Sequence, residues 1–290
     1  MLFNKNNNGS EELFELTGTF HASTDFRSVK ADVAAAEMDV TDLIGEDIMQ
    51  KAQEAYDTGT DNDLVDAVRL PVACLAVAYY ARKTGLSVGE TGRKIKVDEN
   101  EKVPFEWMID RDNLEMIERY YRAMDLLFRF LEKKNDLNFN PPHEALTVVK
   151  TIQDFERVYP IHGSRYTLHK MFPLLSEAES ILKRKTTADI ASDELKPAAA
   201  RFIVLTALMT ALKRWSLSVF PAEVARQFSP SHEGNRETQP ASIDEIRWCI
   251  EQFEQQVNDA LLEIHRLTGD LPSSAKLPDN RPEKKFFTTQ

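Results

Sequence analysis

Hydrophobic positions recur along this chain at spacings of three and four, the repeat of one face of an α-helix. Over 114–131 they fall at Leu114, Ile117, Tyr121, Met124, Phe128 and Leu131, and over 246–264 at Ile246, Ile250, Phe253, Val257, Leu261 and Ile264. Both runs predict long amphipathic helices. Shorter stripes predict helices over 28–43 (Val29, Val33, Ala36, Val40, Leu43) and 168–183 (Leu168, Met171, Phe172, Leu175, Ala178, Leu182), with Pro173 expected to mark the start of the second. Another helix is expected over 45–56. The segments 64–88 and 195–219 are apolar nearly all round and predict the buried central helices, the first kinked or restarted at Pro71.

The two central segments align without gaps at an offset of 131, and six of 25 positions are identical (Leu64/Leu195, Ala67/Ala198, Ala76/Ala207, Leu86/Leu217, Ser87/Ser218, Val88/Val219). Chance gives roughly two. Arg82-Lys83 coincides with Lys213-Arg214, and Phe20-His21-Ala22-Ser23 with Ile161-His162-Gly163-Ser164 at an offset of 141. The first amphipathic helices align at about 139 to 140 and the last at about 133.

The expected fold is therefore mainly α, with two tandem, internally duplicated helical-bundle units. A flexible, Asn-rich arm occupies 1–18, unit 1 spans 19–136, a linker 137–158, unit 2 159–267, and an extended tail 268–290. The run NDLNFNPP at 135–142 disfavours helix and marks a boundary. Residues 19–26 alternate weakly, as in a strand. Within unit 1, Ile95 and Val97 alternate with lysines, and Asp98-Glu99-Asn100 separates them from Val103; this predicts a small β-hairpin inserted over 89–105. In the second half, 220–240 reads instead as a short helical turn and a polar loop. Asp112 and Ser242 are the expected N-caps of the long helices, Ser242 with Glu245 in a capping box.

Charge narrows the function classes. A net charge of −11 and a pI near 5.2 oppose a broad nucleic-acid footprint, which needs clustered Lys and Arg. The two cysteines, Cys74 and Cys249, form no disulfide framework. The opening residues show no secretory signal, and the longest apolar run, 70–81, falls short of the ~20 residues that span a bilayer. The expected location is the cytoplasm of the producing cell, with the virion as a further destination.

Catalytic patterns do not assemble. His143-Glu144 begins like a zinc-protease helix, but Thr147 stands where the second His belongs. His162 and His169 have no Cys or carboxylate completing a ligand set. Gly85, Gly89 and Gly92 match neither a P-loop nor a dinucleotide fingerprint. Carboxylate pairs such as Asp110 with Asp112, or Glu177 with Glu179, read as solvated helix surface. No catalytic residue, metal or cofactor is expected. The candidate partner contacts are Arg93, Lys94 and Lys96 in the insertion, Tyr120 from a tyrosine doublet, and Phe286 and Phe287 in the tail.

Leu174-Leu175-Ser176-Glu177-Ala178-Glu179, together with 64–88 and the 89–103 insertion, resembles a family of uncharacterised proteins from gut Bacteroidetes and their prophages. More distantly, the helix order is similar to the helical head-to-tail connector proteins of tailed phages. That resemblance implies a non-catalytic neck protein forming a homo-oligomeric ring between portal and tail. The other expectation is a monomeric helical adaptor that binds a host protein or peptide.

Overall fold

The computed structural model describes residues 1–84, 87–89, 92–94, 106–214, 226–228, 238–240 and 243–269. The chain is mainly helical and divides into two compact units: residues 1–140 with 164–166, and residues 141–163 with 167–290. The division between Asn140 and Pro141 falls inside NDLNFNPP.

Unit 1 contains α1 (Gly9–Thr17), α2 (Lys30–Ile44), α3 (Glu46–Thr58), α4 (Asn62–Thr84) and α5 (Glu106–Lys133). Helix α4 is its centre, packed by α1, α2, α3 and α5. Val68, Val72, Ala73 and Ala76 are fully buried on it, and small side chains there let four helices approach one axis. Pro71 removes a helical hydrogen bond, yet α4 runs through it unbroken. Neighbours on several sides hold the helix where an isolated one would break. The same apolar character makes α4 long and hydrophobic enough to cross a membrane by length and composition, but most of its apolar window is buried inside the unit.

The first 18 residues are not a loose arm. Leu2, Phe3 and Leu13 are buried in the unit 1 core, and α1 occupies half of the segment. Few apolar residues stand among the asparagines, but they coincide with strong polar anchors. The N–H of Leu2 donates to Glu37 on α2, and that of Asn4 to Glu12. Glu12 also accepts from Tyr56 Oη and pairs with Arg69 at 3.3 Å. The Arg69 guanidinium lies between the Phe3 and Tyr56 rings, 4.7 and 5.2 Å from their centroids.

Unit 2 contains α6 (Ile152–Glu156), nearly all of α7 (Arg165–Lys185), α8 (Lys196–Arg214) and α9 (Ile243–Thr268). The expected linker over 137–158 is mostly core of this unit: Val148, Val149, Ile152 and Phe155 are buried in it. Thr151 and Asp154 form a capping box at the start of α6, and Lys196 pairs with Asp154 at 3.1 Å. Glu179, 4% exposed, accepts the N–H groups of Thr147 (2.8 Å) and Val148 (3.3 Å), while Lys183 bridges Glu179 and the Thr147 hydroxyl.

Burial follows one register in both units. On the central helices, Leu64/Leu195, Val68/Ala199, Val72/Ile203, Ala73/Val204 and Ala76/Ala207 are buried in each. On α5 and α9, Met124/Val257, Leu127/Ala260 and Leu131/Ile264 are. On α2 with its cap Val29, and on α7, the matching offset is 142, not the 139 to 140 read from pattern: Val29/Met171, Val33/Leu175, Ala36/Ala178 and Val40/Leu182 are all buried. The layouts also differ, since α2 lies close along α4 while the close neighbours of α8 are α9 and α6.

Several local expectations change. Pro173 lies inside α7, which begins at Arg165, and Asp112 lies inside α5. Residues 19–26 form no strand; they lead into a 3₁₀ turn at Phe26–Ser28 capped by Asp25. Ladders of three residues join β1 (Ser87–Gly89) to β2 (Gly92–Lys94) and β3 (Arg226–Phe228) to β4 (Thr238–Pro240), so the second half pairs strands where a helical turn was expected. Ile95, Val97 and Val103 of the expected hairpin, Ser242 and the tail from 270 lie outside the described residues.

Candidate functional site

Within unit 1, four helical neighbours do not enclose α4 completely. Its stripe Leu70, Cys74, Val77 and Ala81, at successive spacings of four, three and four, floors a groove. One wall is the end of α1 and the segment after it, with Leu16, Thr17, Thr19, Phe20, His21 and Thr24. The opposite wall is α5 from Asp112 to Leu126, a length of about 21 Å at the helical rise. The groove comprises two adjoining cavities of about 220 and 300 Å³, which share Thr19, Val77, Met116 and Arg119.

The groove has an apolar floor and a charged rim. Leu126 at its edge is 53% exposed, and Phe14 on α1 is also exposed. Burial pushes the Cys74 thiol up, and the nearby Arg119 charge only partly offsets this, so Cys74 lines the floor as a neutral thiol. Among the described residues, Arg119 makes no ion pair or hydrogen bond, and the exposed Arg122 approaches Glu118 only to 4.0 Å. Asp112 and Glu115 stand at the other end of the same wall. Such a surface can hold an apolar side chain and a neighbouring anion.

Tyr120, one of the sequence-derived contacts, lies outside the groove lining. Tyr120 is 5% exposed, so it is a core residue and no partner anchor. The apolar face of α5 is wider than the Tyr121 stripe suggests, and Tyr166 packs on both tyrosines, with centroids 5.9 Å from Tyr120 and 5.1 Å from Tyr121. Burial raises the Tyr120 and Tyr166 hydroxyls far above the usual phenol value. Arg93 and Lys94 belong to β2; Lys96, Phe286 and Phe287 lie outside the described residues.

No family model, curated protein or solved structure matches the chain.

The remaining polar clusters are tied into the cores. Asp125 accepts from Ser164 Oγ and the Tyr166 N–H within unit 1, and Tyr79 donates to Asp39 at 2.7 Å. In unit 2, burial and then the charge of the nearby His143 push His169 down to about 4. Among the described residues, no group of three His, Cys, Asp or Glu side chains could hold a metal ion. The groove itself escaped the sequence reading. Its signal was comparative: at the offset of 133, Arg119 and Arg122 stand opposite the uncharged Gln252 and Gln255.

Proposed function

We propose that this protein is a non-catalytic assembly protein that binds protein partners through the groove of unit 1. The observation that carries this reading is the apolar floor left open between α1 and α5, with the exposed Leu126 at its lip. Exposed apolar surface rimmed by charge is the usual form of a protein-binding patch. The test is capture from producing cells by the full-length protein, compared with Leu126→Asp and Arg122→Glu, two changes at exposed positions. The reading expects proteins held by the parent to be lost by both variants. Retention of the same set by both would overturn it.

The resemblance to tailed-phage connectors gives a more specific form, a ring between portal and tail; the other form is a monomeric adaptor. The groove favours the adaptor form, because a concave apolar site suits a peptide or helix of a partner. Mass photometry separates them, since a ring appears as a defined multiple of 33.1 kDa. The two units are also read as products of duplication. Support comes from the shared burial register and from Ala36-Glu37 and Ala178-Glu179, an identical pair in which each glutamate accepts the N–H of an extended segment.

A further inference from the structure

We infer that the Asn8-Gly9 peptide is a deamidation site gated by the fold, and that its conversion irreversibly frees residues 1–8 from the unit 1 core. Asparagine followed by glycine is the pairing most prone to this reaction, because glycine has no Cβ to shield its nitrogen. The Gly9 nitrogen loses its proton and attacks Asn8 Cγ; the Cγ–Nδ2 bond breaks and ammonia leaves. Water then opens the five-membered imide at either carbonyl, giving aspartate or isoaspartate. Water is the only co-reactant.

The folded unit opposes the first step. The Gly9 N–H donates to Asn4 Oδ1 at 2.9 Å, which holds its proton. The imide ring requires the Asn8 ψ to leave its observed 22°, and that rotation breaks the first helical bond of α1, from the Glu12 N–H to the Asn8 carbonyl at 3.0 Å. Gly9 is also closely packed: a Cβ there would stand 2.5 Å from the Phe26 ring and 2.8 Å from Asn4 Cβ. Packing thus demands the glycine that makes the peptide reactive, while the same contacts keep it closed. Reaction needs residues 4–9 to lift locally, an opening that costs only part of the global unfolding free energy.

Once made, the product does not fit back. Isoaspartate adds one carbon to the backbone between Leu2 and Phe3, 0% and 3% exposed, and the packed start of α1. Asn4 leaves no slack for it, since its N–H donates to Glu12 while its Oδ1 accepts from Gly9. The new carboxylate also joins Glu11 and Glu12 at the first turn, where Asn8 Oδ1 is buried with no hydrogen-bond partner among the described residues.

The test incubates the full-length protein at mildly alkaline pH, folded and in denaturing urea. Mass spectrometry of the tryptic fragment 6–27, released by cleavage after Lys5 and Arg27, follows the amide-to-acid change at Asn8. Asn8 in the folded protein is expected to convert about 10-fold or more slowly than in urea, and Asn4→Ala to convert at a rate between the two. Hydrogen exchange of the separated product, read by NMR, is expected to show protection lost at the Leu2 and Asn4 amides and kept at Val72. Equal rates folded and in urea, no conversion in urea, a folded Asn4→Ala protein no faster than the parent, or full protection at Leu2 and Asn4 in the product would overturn the inference.

Discussion

Glu37 and Glu179 hold the same post in the two units: each projects from the helix aligned at the offset of 142 and accepts the N–H of an extended segment, Leu2 in one unit, Thr147 and Val148 in the other. A carboxylate facing buried donors is a strong acceptor, and its removal leaves those donors without a partner. Glu179→Ala should therefore cost unit 2 about 3 kcal/mol in urea unfolding, and Glu37→Ala about 1 to 2 kcal/mol in unit 1, where one donor is involved. Equal, negligible losses would mean that water replaces both carboxylates.

Acid should unfold unit 2 before unit 1. Burial pushes Asp154 and Glu179 up, but hydrogen bonds from Lys196 and Thr151 to the first, and from Lys183 and Thr147 to the second, outweigh it and hold both below their ordinary 3.8 and 4.5. Their stabilisation is present above those values and is lost as pH falls through the lower folded ones. His169, pushed by burial and His143 from 6.5 to about 4, adds a loss of stability as pH falls from 6.5 towards 4. Glu37 and Asp125 in unit 1 are raised by burial, so their contribution is present at low pH and lost as pH rises. Hydrogen exchange between pH 7 and about 3 should show Val204 losing protection before Val72, and His169→Gln should remove the part of the loss between 6.5 and 4.

Arg69 should tolerate no cationic substitute. Its flat guanidinium packs on Phe3 and Tyr56 while pairing with Glu12, an arrangement that the compact ammonium of lysine does not reproduce. Arg69→Lys is expected to cost about 1 to 2 kcal/mol and Arg69→Ala about 3 kcal/mol by chemical denaturation. A neutral Arg69→Lys would show that charge alone holds the first residues in place.

Tyr120 gives a contrasting pair of outcomes. Tyr120→Phe should leave partner capture unchanged, because the ring is enclosed, whereas Tyr120→Ala should cost about 3 to 5 kcal/mol of unit 1 stability. Lost capture by a stably folded Tyr120→Phe would contradict the core assignment.

Helix existence was legible where apolar positions recur at three and four, as on α2, α5, α7 and α9, and where small apolar residues run continuously, as on α4 and α8. The limits of that reading have physical causes. Leu2 and Phe3 sit in a polar stretch and are recruited by Glu37, a long-range hydrogen bond that no local pattern announces. Val148, with the adjacent Val149, is held in the core where Glu179 accepts the N–H groups of Thr147 and Val148. The groove is walled by α1 and the segment after it, in a stretch whose polar sequence reads as a loose arm.

The most direct measurement is site-specific photo-crosslinking in producing cells from position 126 at the lip of the groove, with position 170 on the exposed surface of unit 2 as the control. The account predicts a discrete crosslinked product from 126 that is lost in the Arg122→Glu protein and is absent from 170. No discrete product from 126, or the same product from both positions, would contradict it.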